Sequence, residues 1–380
     1  MGLRSPAAGG QNVIQCETRR RLQTVAYVSN TVRVLDIPRD TVIKRAAFYL
    51  VGSTVVTYAS GSPTATVTGA AEALCPRIDC VIDGQRTVKS ITPHIQEMLN
   101  MIYSTDRPIR AHSVGTAITT QLAGTENPRG AAFLYPSTTD TLVINEAFTV
   151  HFEMPWAYDM GRSATMLNVK NVSSAEFRFS FGSTDGLQVP GGSVSLAYSA
   201  IDLNFGVTLI EARDVPADAP LLDFKETVSR YTYSGETLDS QIDLPRGNAL
   251  AGVGIFVRNG GAARAPFDRG LRDIMLQVNG QQTLQKTNFR ELQVDNKERY
   301  GLNDQVASGL HALQGFAFMN LLKNGDIRTA LNTTIGAGVD RVTLNVNTAP
   351  SSGSDNATYS TNPMEVSVWS MEIAAVPVRV

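Results

Sequence analysis

The sequence predicts an all-β chain built as two tandem, eight-stranded antiparallel β-sandwiches with a few short helices. Three observations carry this. Apolar residues alternate with polar or small ones at 148–152, 177–181, 194–198, 342–346 and 366–369, the period-two pattern of strands with one buried face. Gly (31 residues) and Pro (17) punctuate these runs, and no regular alternation of strand and helix supports a parallel sheet. Two phrases also occur twice, in the same order. Val34-Leu35-Asp36-Ile37-Pro38-Arg39-Asp40, before an apolar run at 42–51, returns as Gln241-Ile242-Asp243-Leu244-Pro245-Arg246-Gly247 before one at 249–257. Cys80-Val81-Ile82-Asp83-Gly84-Gln85-Arg86-Thr87-Val88 returns as Leu276-Gln277-Val278-Asn279-Gly280-Gln281-Gln282-Thr283-Leu284. The offset is 207 residues from Pro38 to Pro245 and 196 from Gly84 to Gly280, the period of a whole domain rather than of a short solenoid repeat.

Taken in order, residues 1–21 are expected to form a mobile arm. Its first ten residues lack the apolar centre of a secretory signal, and Pro6 stands where a myristoylation motif wants Ser or Thr. Arg19, Arg20 and Arg21 are its candidate contacts to phosphate or lipid headgroups, weighed against a plain solvated charge run. Residues 22–212 make the first sandwich. Pro38-Arg39 marks a corner, because Pro cannot donate to a sheet ladder. Asp83-Gly84 is a type I′ hairpin turn, whose two central residues need positive φ. After Thr92 as N-cap and Pro93 as first helical residue, Ile95, Met98, Leu99 and Ile102 fall on one helix face.

Residues 213–220, with two prolines among small and acidic residues, read as a short stiff linker. Residues 221–380 repeat the plan, with a corner at Pro245-Arg246 and a hairpin turn at Asn279-Gly280. Asn288 and Glu291 then form a capping box ahead of Phe289 and Leu292. A further helix is expected from Asp304, carrying Val306, Leu310 and Leu313. Each half is long enough to bury its own core.

The residues offer little catalytic chemistry. Cys16, Cys75 and Cys80 lack zinc spacing and are read as idle thiols in a reducing compartment. His94, His112, His151 and His311 never occur as close pairs, so neither a metal nor another cofactor is expected. Asp79, Asp83, Glu97, Asp243 and Asp268 are the carboxylates that could pair in space, while Asp36 and Asp243, repeated with their Pro-Arg, read as structural. Gly182-Ser183-Thr184-Asp185-Gly186 is a turn with its serine misplaced for a nucleophile, and Gly252-Val253-Gly254 reads as close strand packing. Three N-glycosylation patterns, at Asn171, Asn332 and Asn356, carry no weight without a secretory route. No catalytic residue is assigned. A net charge of −2 with 18% charged residues gives no reason to expect specific nucleic-acid recognition, and no apolar run is long enough to cross a bilayer, so a soluble chain is expected.

Two similar sandwiches in tandem, carried by Asp36-Ile37-Pro38-Arg39 with Asp243-Leu244-Pro245-Arg246 and by the two Gly-turn phrases, resemble the double jelly-roll major capsid proteins of tailless, membrane-containing icosahedral bacteriophages, the lineage that includes adenovirus hexon. The resemblance spans roughly residues 22–380 and implies that each sandwich is a jelly roll. It implies a homotrimer of pseudo-hexagonal outline that meets neighbouring trimers in an icosahedral shell. Minor capsid proteins and an internal lipid membrane are its implied partners, and a virion, after synthesis in the host cytoplasm, its location. Residues 104–140 and 350–362 would then be outward or inter-subunit loops. The rival readings are a double jelly-roll enzyme or glycan-binding protein and a viral spike or receptor-binding protein. A copper enzyme would want His and Met ligands in close pairs, and a glycan site would want aromatic platforms where this chain has only Trp156 and Trp369.

Overall fold

The computed structural model describes residues 17–58, 64–66, 70–103, 110–114, 117–120, 132–134, 139–157, 164–187, 196–212, 215–216, 219, 221–259, 270–302, 313, 315–334, 336–349 and 363–375. Among these, eight principal strands recur in each half. The first eight are β1 (Glu17–Arg21), β2 (Val32–Asp36), β3 (Val42–Tyr58), β4 (Arg77–Ile82), β5 (Arg86–Ile91), β6 (Thr139–His151), β7 (Ala175–Ser180) and β8 (Leu196–Ala212). The second eight are β9 (Leu222–Tyr233), β10 (Ser240–Asp243), β11 (Ala249–Asn259), β12 (Leu271–Val278), β13 (Gln282–Asn288), β14 (Phe316–Asn320), β15 (Val342–Thr348) and β16 (Met364–Ala375). Among the described residues three α-helices accompany them: α1 (Ala70–Leu74), α2 (Pro93–Tyr103) and α3 (Phe289–Tyr300).

Strand order makes the duplication explicit. In the first half one sheet runs β1-β8-β3-β6 and the other β5-β4-β7-β2; in the second they run β9-β16-β11-β14 and β13-β12-β15-β10. Adding eight to every strand of the first half gives the second. The antiparallel order, with two four-stranded sheets exchanging chain at each corner, is that of a jelly roll. Even an irregularity is copied. Lys44 is an extra residue in β3 between Ile43 and Arg45, and Ala251 is an extra residue in β11 between Leu250 and Gly252, so both halves carry a β-bulge 207 residues apart.

Each half folds on its own core. Phe48, Phe177, Phe179 and Phe205 fill the first, and Phe48 stacks on Phe148 with ring centres 5.2 Å apart. Val253, Ile255, Leu276, Leu344 and Val366 fill the second. β7 keeps the expected alternation, its burial switching at every residue, because its outer face meets solvent. β15 and β16 do not. Thr343 and Asn345 are buried along with their apolar neighbours, as is Ser367, since these strands are covered on both faces.

The halves are joined by one sheet. β5 at the edge of the first half pairs in parallel with β9 of the second, with Lys89 opposite Glu226, so the chain β14-β11-β16-β9-β5-β4-β7-β2 is continuous across both jelly rolls. The linker is tied to the body: Val215 is buried with Val42, Met166 and Ala212 of the first half and Leu221 of the second, and Ala219 packs against them.

The arm expectation needs correcting at its end. Glu17–Arg21 is strand β1, paired along its length with β8, so residues 17–21 belong to the sheet of the first jelly roll and not to an arm. Two of the three arginines read as arm contacts have acceptors within the first half. Arg20 bridges Asp40 at 2.7 Å and Glu211 at 3.1 Å, and Arg21 donates to the Tyr49 hydroxyl at 2.8 Å. Residues 1–16 and 350–362, residues 304–312 of the helix expected to carry Val306, Leu310 and Leu313, Asp268 and the Asn356 pattern lie outside the described residues, and Leu313 itself is buried in a turn. Part of the 104–140 excursion is sheet: Arg110–Val114 pairs with β6 and in turn with Ala117–Thr120. Among the described residues no helix is long and apolar enough to cross a membrane.

Candidate functional site

The repeated corner and hairpin residues come together in both halves, and they do the same job. Asp83 (φ 54°) and Gly84 (φ 72°) form the β4–β5 turn, and Asn279 (φ 53°) and Gly280 (φ 66°) the β12–β13 turn, the positive φ values that a type I′ turn requires. The Asp83 carboxylate accepts from the Ser173 amide at 2.7 Å, and the Asn279 carbonyl oxygen accepts from the Asp340 amide at 2.7 Å. Each thereby fixes the chain just before β7 or β15 enters its sheet. The corners close over the same point. Ile37 N–H donates to Ala175 and Leu244 N–H to Val342, while Arg39 donates to the Ser173 carbonyl at 2.6 Å. In the second half Arg341 takes over the bridging by donating to Asp243 at 2.6 Å, which holds that carboxyl below its usual range, and Arg246 lines the shallow depression beside it with Pro245 at the bend.

These residues are structural staples. Asp83→Ala and Asn279→Ala should each cost about 1–2 kcal/mol, since each strands strand-entry amides and puts a side chain less suited to positive φ at the turn. Urea unfolding of the two variants checks this; a loss below a few tenths would mean the strand entries are held by the sheet alone.

The larger site is the seam between the jelly rolls. α2 lays Ile95, Met98, Leu99 and Ile102, all buried, on the outer face of the β9-β16-β11-β14 sheet, where Phe224, Phe256, Phe318, Trp369 and Met371 make an apolar floor. The sequence put that stripe on one face; the structure shows that its partner is the other half of the chain. Gly252 and Gly254 leave room for this floor, since a Cβ at Gly252 would stand 2.8 Å from the Phe318 ring and one at Gly254 3.3 Å from Phe316. Both tryptophans of the chain lie here. Trp156, contributed by the first half, sits edge-on to Phe224 and to Phe318 with ring centres 5.4 Å away in each case.

Charges are buried in the same seam. Lys89 Nζ is 3.3 Å from Glu226 and 3.3 Å from the centre of the Phe224 ring, with both side chains almost wholly excluded from solvent. Burial pushes the Lys89 amine down to about 8, against the pull of Glu226, and pushes the Glu226 carboxyl up, against the pull of Lys89 and the Gln96 amide that donates to it at 3.2 Å. Arg86 pairs with Asp223 one turn of the pleat away, and burial raises that carboxyl too. Arg258 of β11 reaches Glu72 of α1 in the first half and Glu365 of β16; burial opposes its charge, but the two carboxylates outweigh it and hold its pKa above the ordinary value.

Among the described residues the remaining candidates do not converge. Asp79 pairs with Arg77 and accepts from Ser90 at 2.8 Å, while Asp243, in the other half, pairs with Arg341. His151 is buried at the end of β6, His94 lies in α2, His112 lies in the strand Arg110–Val114, and His311 is outside the described residues. Cys75 and Cys80 are free and buried, and burial pushes both thiols up. Among the described residues no group of three His, Cys, Asp or Glu could hold a metal ion. Ser183 of the Gly182–Gly186 turn precedes a short 3-10 helix, Thr184–Leu187.

Neither a protein-family model nor a curated protein sequence matches the chain. Solved structures do. The major capsid protein of Sulfolobus Turreted Icosahedral Virus superposes with a TM-score of 0.62 at 17% identity, covering 94% of this chain and 97% of that one. The major capsid protein of bacteriophage PM2 gives 0.55 at 11% identity, covering 95% and 98%, and that of Faustovirus 0.52 at 8%, covering 99% and 93%. Matched along almost its whole length and repeating one strand order twice, this chain has the double jelly-roll fold of viral major capsid proteins.

Proposed function

We propose that this chain is a major capsid protein, a non-enzymatic building block that assembles as a homotrimer and tiles, trimer against trimer, into the icosahedral shell of a virus. The observation that carries this reading is the copying of a complete jelly roll, bulge and corners included, and the rigid apolar seam that sets the copies side by side. Three such chains present six similar barrels around a closed three-fold axis, so one sequence approximates a hexagonal tile through heterologous contacts. The virion is then its location, after synthesis in the host cytoplasm, with minor capsid proteins and an internal membrane as neighbours of the shell.

Expression of the full chain tests it. Light scattering should give a particle of three chains, and electron microscopy at high protein concentration should show hexagonal arrays or closed shells. A strictly monomeric protein that forms neither would overturn the reading.

A further inference from the structure

The contact inside the chain supplies a template for a contact between chains. At the inner seam β5 adds in parallel to β9, and α2, which follows β5, covers the sheet behind it. In the second half the strand and helix equivalent to β5 and α2 are β13 and α3. Among the described residues β13 pairs only with β12, so its outer edge offers free backbone groups, with Leu284 exposed beside them. In the first half the strand equivalent to β9 is β1, which pairs only with β8.

Sheet registers fix the correspondence residue by residue. Phe224 pairs with Ile373, which stands opposite Ala249; Glu17 pairs with Ala212, which stands opposite Val42. The shared corner makes Val42 and Ala249 equivalent, so Glu17 corresponds to Phe224, Arg19 to Glu226 and Arg21 to Val228. The shared hairpin turn makes Gln285 the counterpart of Lys89. Along the helices, Ile95, Met98, Leu99 and Ile102 of α2 correspond to Glu291, Val294, Asp295 and Glu298 of α3, all four of them exposed.

The chemistry has changed in step on both sides. Where α2 is apolar and faces an aromatic floor, α3 shows three carboxylates around Val294, and the strand it corresponds to shows Glu17 in the place of Phe224, its charge taken up by Lys44 and Arg45, beside the exposed Arg19 and Arg21, with Tyr49 in the place of Phe256. An acidic helix face and a basic strand are matched in sign, and Arg19 has no ion-pair partner among the described residues.

Resting on the shell-protein reading, we infer that β13 and the acidic face of α3 dock on β1 and the Arg19–Arg21 face of a second copy of this chain, adding β13 to β1 in parallel with Gln285 opposite Arg19. The contact is heterologous, repeats the inner seam in geometry, and replaces its apolar fill with charge. The inner seam is thus permanent, whereas the outer one responds to salt.

Charge reversal tests the pairing. Arg19→Glu with Arg21→Glu, and separately Asp295→Lys with Glu298→Lys, should each convert the assembled wild-type protein to monomer at micromolar concentration, with circular dichroism and melting confirming that each variant is folded. The four changes together should restore association, and wild-type association should weaken by about tenfold or more between low and high salt. Hydrogen exchange should show the β13 and β1 amides protected in the assembled protein and open in the monomeric variants. Assembly unaffected by either reversal, or dissociation by both with no recovery in the fourfold variant, overturns the pairing while leaving the shell reading intact. A wild-type chain that stays monomeric overturns both.

Discussion

Replacing Lys89 by Met while Glu226 remains should cost the chain about 3–5 kcal/mol, and replacing Glu226 by Leu as well should restore most or all of that loss. The reason is the position of the pair. Both side chains are almost fully buried between the jelly rolls, with the ammonium against the Phe224 ring, so either charge alone would sit desolvated with no counter-charge. Removing both leaves an apolar pair in an apolar seam. Guanidinium chloride unfolding of the two single variants and the double variant checks this; a cycle in which the single losses simply add would show that Lys89 and Glu226 act independently.

The pH dependence follows from the same burial. Lys89 releases its proton near 8 in the folded chain but only near 10.5 when unfolded, so between those values the unfolded chain holds more protons and stability rises with pH. Below about 8 the cost of burying the ammonium is present in full. The wild-type stability, measured against that of the double variant, should therefore climb from pH 8 to 10.5. A flat difference would place the proton elsewhere. What the pair supplies in exchange is register: a single Lys–Glu contact fixes the offset of two parallel strands, which apolar contacts alone, being non-directional, specify less sharply.

How much of this was legible in the sequence depended on whether a feature leaves a local trace. The hairpin turns did, because Asp83-Gly84 and Asn279-Gly280 need positive φ and few residue pairs accept it. So did the α3 capping box, where the Asn288 side chain accepts from the Arg290 amide and Glu291 accepts from the Asn288 amide, and the α2 stripe, set by its spacing. The partner of that stripe did not, since spacing tells which face is buried and not against what. The copied bulge was invisible because Lys44 and Ala251 share no chemistry; only the ladders on either side define them. Arg19–Arg21 read as a solvated run because local charge outweighs period in a short segment, although Asp40, Glu211 and Tyr49 hold two of the three in a strand. The alternation at 342–346 suggested one buried face, yet Asn345 is buried and donates to Gln277 at 3.0 Å, so a buried polar side chain bonded to the neighbouring strand mimicked exposure.

Trp369→Ala should be as costly as the loss of Lys89, about 3–5 kcal/mol, and should act in a different place from a core substitution of equal size. Trp369 is fully buried, yet its ring belongs to the seam cluster under α2 and not to the core of the second jelly roll. Its neighbours across the ladder are Val228 and Gly254, and Gly254 cannot fill the gap, so the cavity should persist beneath Met98 and Leu99. Hydrogen exchange should then show α2 opening far more readily, with the inner strand 253–257 little changed. Phe177→Ala, in the core of the first half, should give a similar total loss with fast exchange in β7 and β4 instead. If the two variants exchange in the same pattern, the chain unfolds as one unit and the seam is no separate layer of stability. If they differ as expected, the two jelly rolls are independent barrels welded by α2, and the strength of the two-barrel unit resides in that weld.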